Sequence, residues 1–275
     1  MSPASFGRAP FDPARFTSLR RERGLGWGEP IVHRAETGST NDDALSAARG
    51  GSPEGSVFVA DFQTQGRGRS GKSWQSQPGA GLLFSVLLRP TTHPEQVSSV
   101  TLAVGLGLRA ALAALVPSPF HVKWPNDVLA GGRKVAGVLC EGVLEGQGIV
   151  ALVIGAGINL AHQTLPTELA ETVTSLEALR EPSRPAEPFV IGREPLLVAV
   201  LSAIESRVNT CLTQGFAALA DEFALHDALL GRRVAVSGGT ELRGTARGVD
   251  RDGQLLIDSE GARVAVRAGT LRLIE

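Results

Sequence analysis

The chain is poor in cysteine. Its 275 residues include two, Cys140 and Cys211, with no framework spacing. That excludes a disulfide scaffold and fits a reducing compartment such as the cytoplasm. Cys140 lies in an apolar run and reads as a small buried hydrophobe rather than a nucleophile. A basic excess is missing as well. Lys and Arg number 27 against 28 Asp and Glu, for a net charge of −1, which argues against general binding to nucleic acid or to an anionic membrane. The five histidines (His33, His93, His121, His162 and His226) are scattered without metal-ligand spacing. No uninterrupted apolar run spans a bilayer, and the N-terminus lacks an apolar signal core. What is present is length enough to bury a sizeable core, divided naturally into one large domain and a small one.

Residues 1–30 mix Pro, Arg and Gly and read as a poorly ordered lead-in with one short helix around Phe16–Arg23. Ser39-Thr40-Asn41-Asp42 leads into the apolar Ala44–Ala48 stretch. This predicts a helix with Ser39 and Asp42 as a capping box, ended by Gly50-Gly51. Strands are predicted at 56–62 and 82–89. The spacing of Val97, Val100, Val104, Leu108, Leu112 and Leu115 predicts a long helix over 94–116. Strands follow at 120–124, 134–141 and 149–155, then an apolar-faced helix over 194–212 and a shorter one over 216–229. From Gly231 onward, short alternating runs at 234–236, 242–246, 255–258 and 263–266 replace the helical pattern, with turn signals at 237–239 and 250–253. They predict a small all-β barrel, marginal alone and therefore packed on the main domain. The resulting division is a lead-in over 1–30, a main domain over 31–229 and a barrel over 230–275.

Three segments carry chemistry. In Gly66-Arg67-Gly68-Arg69-Ser70-Gly71-Lys72-Ser73-Trp74, glycines and cations alternate. The glycines permit close backbone approach, and the cations supply donors for carboxylate or phosphate oxygens, so the stretch reads as an anion-gripping loop. It matches the P-loop pattern literally, but the following residues carry Pro78, Gly79 and Gly81 and lead into an apolar strand, where a P-loop requires a helix. Lys123-Trp124-Pro125-Asn126-Asp127 is a stiff turn. Its Lys suits phosphate and its Asn and Asp oxygens suit magnesium, although an ordinary turn uses the same residues to bond its own backbone. Lys134 opens an apolar strand, as an edge charge or as a lysine aimed into a cleft. Val150 to Leu160 is a buried strand breaking into Gly155-Ala156-Gly157-Ile158-Asn159. Leu160 stands where a dinucleotide-binding fingerprint needs its third glycine. The glycines instead suit a flat ligand lying on the backbone, with Asn159 offering its amide.

Taken in order, Ser39-Thr40-Asn41, Gln63-Thr64 with the Gly66–Trp74 loop, Lys123 to Asp127, Lys134-Val135-Ala136-Gly137 and Gly155 to Asn159 resemble the bacterial biotin protein ligases over residues 33–275. The resemblance implies an α+β fold, a mixed sheet backed by helices of the class II synthetase-like type, with a C-terminal SH3-like barrel. It implies that biotin and MgATP give biotinyl-5′-AMP, and that biotin then passes to one lysine of the biotin carboxyl carrier protein of acetyl-CoA carboxylase. It places Ser39, Thr40, Asn41, Gln63, Arg67, Gly68, Arg69, Lys134, Gly137, Gly155 and Gly157 around biotin. Gly66, Arg67, Arg69, Lys72, Trp74, Lys123, Asn126, Lys134 and Asn159 serve ATP, Asp127 serves magnesium, and Lys134, Arg69 and Lys123 act in catalysis. Two positions depart from the family pattern. Lys72 stands where Arg is usual, and Gln65 where a small residue is usual. Residues 1–30 are too few for the DNA-binding domain of some members, so no operator binding is expected. The location expected is cytoplasmic, without membrane contact, and the oligomeric state, a homodimer included, is left open. The alternatives are a lipoate–protein ligase, which shares the fold, and a non-catalytic biotin-binding regulator.

Overall fold

The computed structural model describes residues 9–90, 96–146, 148–163, 167–179, 192–238 and 241–274. Pro94 and Gly239, which enter the expected start of the long helix and one expected turn, lie outside them. The lead-in is a correction. From Phe11 onward it is folded into the main core, with Phe11, Phe16, Leu25 and Trp27 all buried. Asp12 caps helix α1 (Pro13–Arg23) by accepting from the Ala14 and Arg15 amides, and Gly24 closes it in the left-handed conformation. An ion pair between Arg193 and Asp61 at 2.7 Å, with Asp61 also accepting from Phe11 N at 3.2 Å, pins the entry of this segment. Pro, Arg and Gly content suggested disorder, but four spaced apolar anchors outweigh it.

The main domain is built on a seven-stranded sheet in the order β1 (Ile31–Thr37), β2 (Val57–Gln63), β3 (Gly81–Leu88), β7 (Gly148–Asn159), β6 (Arg133–Glu145), β5 (Asp127–Ala130), β4 (Phe120–Lys123). Only β1 and β2 run parallel; every other neighbouring pair is antiparallel. Strands β1 and β5 were not anticipated, since β1 is mostly polar and β5 is only four residues long. The central strands read as continuous apolar runs because both faces are covered. Val57, Val59, Val86, Leu152 and Ile154 face the main core. Phe58, Leu87, Ala151 and Val153, offset by one residue, face a second small core under helix α2 (Thr40–Arg49) through Ala44 and Ala48.

On the main-core face lie α3 (Val97–Leu115), α5 (Arg193–Gln214) and α1. By length and composition α3 and α5 could each cross a membrane, but α3 is buried along most of its length between sheet and α5. Gly107 permits that crossing, since a Cβ there would lie 2.6 Å from the Ile204 Cα. The expected helix over 216–229 splits into a 3₁₀ turn at Phe216–Leu219 and α6 (Ala220–His226), while a short helix, α4 (Thr167–Ala170), follows β7. The C-terminal module is a five-stranded antiparallel sheet, ordered β11 (Ala262–Val266), β10 (Leu255–Ser259), β9 (Leu242–Val249), β8 (Arg233–Ser237), β12 (Thr270–Leu273). It docks through its β9–β10 turn. Trp124, fully buried, donates its indole N–H to Gly253 O at 3.2 Å.

Candidate active site

Helix α2 covers only part of its face of the sheet. The register shows what is left open. Phe58, Ser85, Gly155 and Leu139 form one cross-strand row. The next row runs Lys123, Asp127, Gly137, Gly157, Leu83 and Ala60 across six strands. These rows floor a cleft of about 650 Å³, which the Gly66–Trp74 loop roofs and residues 169–173 and 269–273 wall. Every expected site residue except Gly66 lines this one cleft. Gly66 sits behind it, where a Cβ would lie 2.5 Å from Trp74 O.

At one end the lining is polar and largely buried. Gln63 Oε1 accepts from the Thr40 amide at 2.8 Å and from its hydroxyl at 2.9 Å. Ser85 Oγ reaches Thr40 Oγ1 at 2.8 Å and Asn41 Oδ1 at 2.6 Å. Asn41 in turn donates to Leu139 O at 3.2 Å and Glu141 Oε2 at 2.7 Å. The expected capping box is therefore not formed. Ser39 is the N-cap but makes no side-chain cap bond; Gln63 accepts from the Thr40 amide, and Asp42 turns outward to Arg67.

The loop is a small folded hairpin. Arg67 and Ser73 pair as a bridge, Gly68 N donates to Lys72 O at 2.7 Å, and Trp74 N donates to Gly66 O at 2.8 Å. Ser70 and Gly71 at its tip are both left-handed, with φ 55° and 74°, a conformation that is strained for the serine. Arg67 Nη2 contacts Asp42 Oδ1 at 2.8 Å and Glu141 Oε2 at 2.7 Å. Three glycines of the cleft floor do not present bare backbone. A Cβ on Gly155 would lie 2.0 Å from Asn41 Oδ1, and one on Gly157 would lie 2.6 Å from the Trp74 ring. A Cβ on Gly137 would press on the Lys134 side chain at 2.9 Å and the Trp74 ring at 3.0 Å. Their lack of side chains makes room for these protein groups within the cleft.

The other end is cationic. Lys123 and Asp127 are the closing pair of the β4–β5 hairpin. Lys134 Nζ lies 2.6 Å from Asp127 Oδ1 and 5.4 Å from the Trp74 ring centre. Burial holds both Lys123 and Arg69 below their ordinary pKa, with Asp127 opposing the shift in each case. Asn126 donates its amide to Val138 O at 2.8 Å and so fastens the hairpin to β6. Asn159 donates to Thr174 O at 3.1 Å and holds the wall segment. Desolvation pushes the Cys140 thiol up to about 12, in keeping with an inert side chain. Among the described residues no cluster of three His, Cys, Asp or Glu could hold a metal. Asp127 is a single carboxylate beside cations, which suits a magnesium ion carried in by phosphates rather than a resident metal. Ser85, Glu141 and Asp42 were missed in the sequence. Ser85 was detectable as the one polar residue inside the run 82–88, and Glu141 as the charge ending the apolar stretch 135–140.

Comparison with known proteins fits this geometry. Residues 37–159 match the biotin/lipoate A/B protein ligase family, and residues 229–270 match the biotin protein ligase C-terminal domain. The biotin–[acetyl-CoA-carboxylase] ligase of Mycobacterium tuberculosis is 35% identical over 269 residues, covering 95% of each chain. The bifunctional ligase/repressor BirA of Bacillus spizizenii is 31% identical over 244 residues, 85% of this chain and 70% of that one. The solved biotin protein ligase from Aquifex aeolicus in complex with biotin and ATP superposes with a TM-score of 0.74 at 29% identity, covering 89% of this chain and 99% of that one. The chain belongs to the biotin protein ligase family.

Proposed function

We propose that this protein joins biotin to ATP as biotinyl-5′-AMP and transfers the biotinyl group to a lysine of the biotin carboxyl carrier protein of acetyl-CoA carboxylase. One observation carries the reading. Arg69, Lys72, Lys123 and Lys134 converge on one end of a cleft whose other end is polar and largely buried, lined by Thr40, Asn41 and Gln63, with Arg67 there neutralised by Glu141. Such a cleft suits an uncharged ureido ring at one end and a carboxylate meeting a triphosphate at the other.

In the first step a biotin carboxylate oxygen bonds to the α-phosphorus and the bond to the bridging oxygen breaks, releasing pyrophosphate. Two anions must approach, so Lys134 is assigned to the carboxylate and α-phosphate, Arg69 to the charge developing there, and Lys123 with Lys72 to the leaving phosphates. Lys72 grips as a point charge, without the two-pronged bond of an arginine. Asp127 serves the magnesium that accompanies ATP, and Trp74, already lying on Gly157, offers a flat apolar face on the nucleotide side. In the second step the carrier lysine attacks the acyl carbon, AMP leaves and the amine loses its proton. A roof over the mixed anhydride keeps water from taking that place.

The same proposal includes a cytoplasmic enzyme, in keeping with two free cysteines. It includes no operator binding, supported by the balanced charge, and it admits a homodimer. The test is incubation with biotin, MgATP and a purified carrier domain. One biotin on one carrier lysine is expected. Loading by lipoate instead would move the chain to the sister activity, and binding without transfer would make it a regulator.

A further inference from the structure

We propose that Glu141 is a positioning residue that couples the polar biotin end of the cleft to the arginine loop. The inference rests on the reading of the cleft given above. A single oxygen, Glu141 Oε2, accepts from Asn41 Nδ2 at 2.7 Å and from Arg67 Nη2 at 2.7 Å. The first donor stands in the first turn of α2, the second in the loop that roofs the cleft.

Glu141 is placed for this by the sheet. It stands opposite Val153 on the central β6–β7 pair, in the row next to Ser85, Gly155 and Leu139. Its carboxylate is therefore fixed to a rigid strand while Arg67 belongs to a loop. Asn41 has little freedom to compensate. It is 4% exposed, sits against Gly155 and is held from the far side by Ser85 at 2.6 Å. The polar chain Gln63–Thr40–Ser85–Asn41–Glu141–Arg67 is continuous, and each link is within hydrogen-bond distance. A ligand that orders Asn41 thereby orders Glu141, and Glu141 holds the roof.

Asp42 is the weaker partner of Arg67. Its side chain is 55% exposed against 25% for Glu141, so solvent screens its attraction more strongly. Arg67 Nε is enclosed with no hydrogen-bond partner, so the arginine depends on the contacts of Nη2. Removing the charge at 141 leaves Arg67 tied to the body of the protein by a largely solvated pair.

Glu141→Gln tests this, because the amide can still accept from Asn41 while losing its charge toward Arg67. Two readouts separate positioning from mere structure. The first is the rate of tryptic cleavage after Arg67 and Arg69 in the ligand-free protein. We expect it to rise at least about fivefold, as a charge-assisted bond gives way to a neutral one. The second is biotin-dependent ATP–pyrophosphate exchange, in which the biotin KM should rise about tenfold while kcat stays within about twofold. Glu141→Asp, which keeps the charge but is one methylene shorter, should fall between the two. It carries the test should the glutamine variant fail to fold. Wild-type cleavage rates and wild-type biotin KM in both variants would overturn the inference, as would a loss confined to kcat. Absence of exchange in the unmodified protein would instead overturn the proposed function, and the cleavage rates would still decide whether Glu141 holds the loop.

Discussion

Gly155→Ala probes the floor of the cleft through one interatomic distance. Gly155 has an ordinary strand backbone, and the added methyl would lie 2.0 Å from Asn41 Oδ1, 2.7 Å from its Cγ and 2.9 Å from its Nδ2. Contacts under 3.0 Å essentially never occur for a real Cβ, so Asn41 must retreat by at least 1.0 Å, the difference of 3.0 and 2.0. The displaced atom is Oδ1, whose bond from Ser85 is now 2.6 Å and is lost by a shift of that size, whereas Nδ2, already 2.9 Å from the added methyl, keeps its bond to Glu141. One lost bond that leaves a buried amide oxygen unsatisfied amounts to about 2 kcal/mol. The same retreat moves a group assigned to biotin, and displacements of about 1 Å lower catalytic efficiency by up to about a hundredfold. Urea unfolding and the biotin KM measure the two effects. The decisive control is Gly155→Ala made on an Asn41→Ala background, where the clash has no object and the added cost should fall below about 1 kcal/mol. Equal costs in both backgrounds would refute the steric argument.

Three further outcomes follow from the same geometry. In Gly157→Ala the new methyl meets the Trp74 ring at 2.6 Å. This ring belongs to a loop and can swing away, so stability should change by less than about 1 kcal/mol, while the ATP KM rises and tryptophan emission shifts. Lys134→Ala removes a charge 2.6 Å from Asp127 and should lower adenylate formation by at least about a hundredfold. Near-normal turnover would make Lys134 an edge charge after all. Asp227, between the main domain and the C-terminal sheet, is pushed up to about 6 by burial, opposed by its bond from Leu229 N. Because its folded pKa lies above the unfolded value, the protonated form favours the fold, and stability falls as pH rises through about 6. Asp227→Asn should therefore unfold at higher temperature than wild type at pH 7.5, by about 1 kcal/mol after the unpaired amide is counted. That advantage should disappear as the pH falls toward the unfolded carboxyl range, and an advantage independent of pH would contradict the assignment.

Much of the site was legible because its chemistry is local in sequence. Arg67, Lys72, Lys123, Asp127 and Lys134 each lie in a short polar or glycine-rich break between apolar runs, and breaks at strand ends cluster in space. What those residues do to one another was not legible. Lys123, Asp127, Gly137 and Gly157 share a row only through strand pairings, and β5 is too short to announce the hairpin that aligns them. The glycines were read as bare backbone because a sequence shows the missing side chain and not the neighbour that fills the space. Asn126 and Asn159 line the cleft as expected of them, and their amides also hold Val138 and Thr174, ties that no sequence displays. From Phe11 onward the lead-in was misjudged because composition averages over the few apolar residues that anchor it.

The central claim is tested most directly by ATP–pyrophosphate exchange on the purified chain with magnesium, with biotin or lipoate supplied separately. The account predicts exchange that requires biotin and is not supported by lipoate. Exchange with lipoate alone, or none with either, would contradict it.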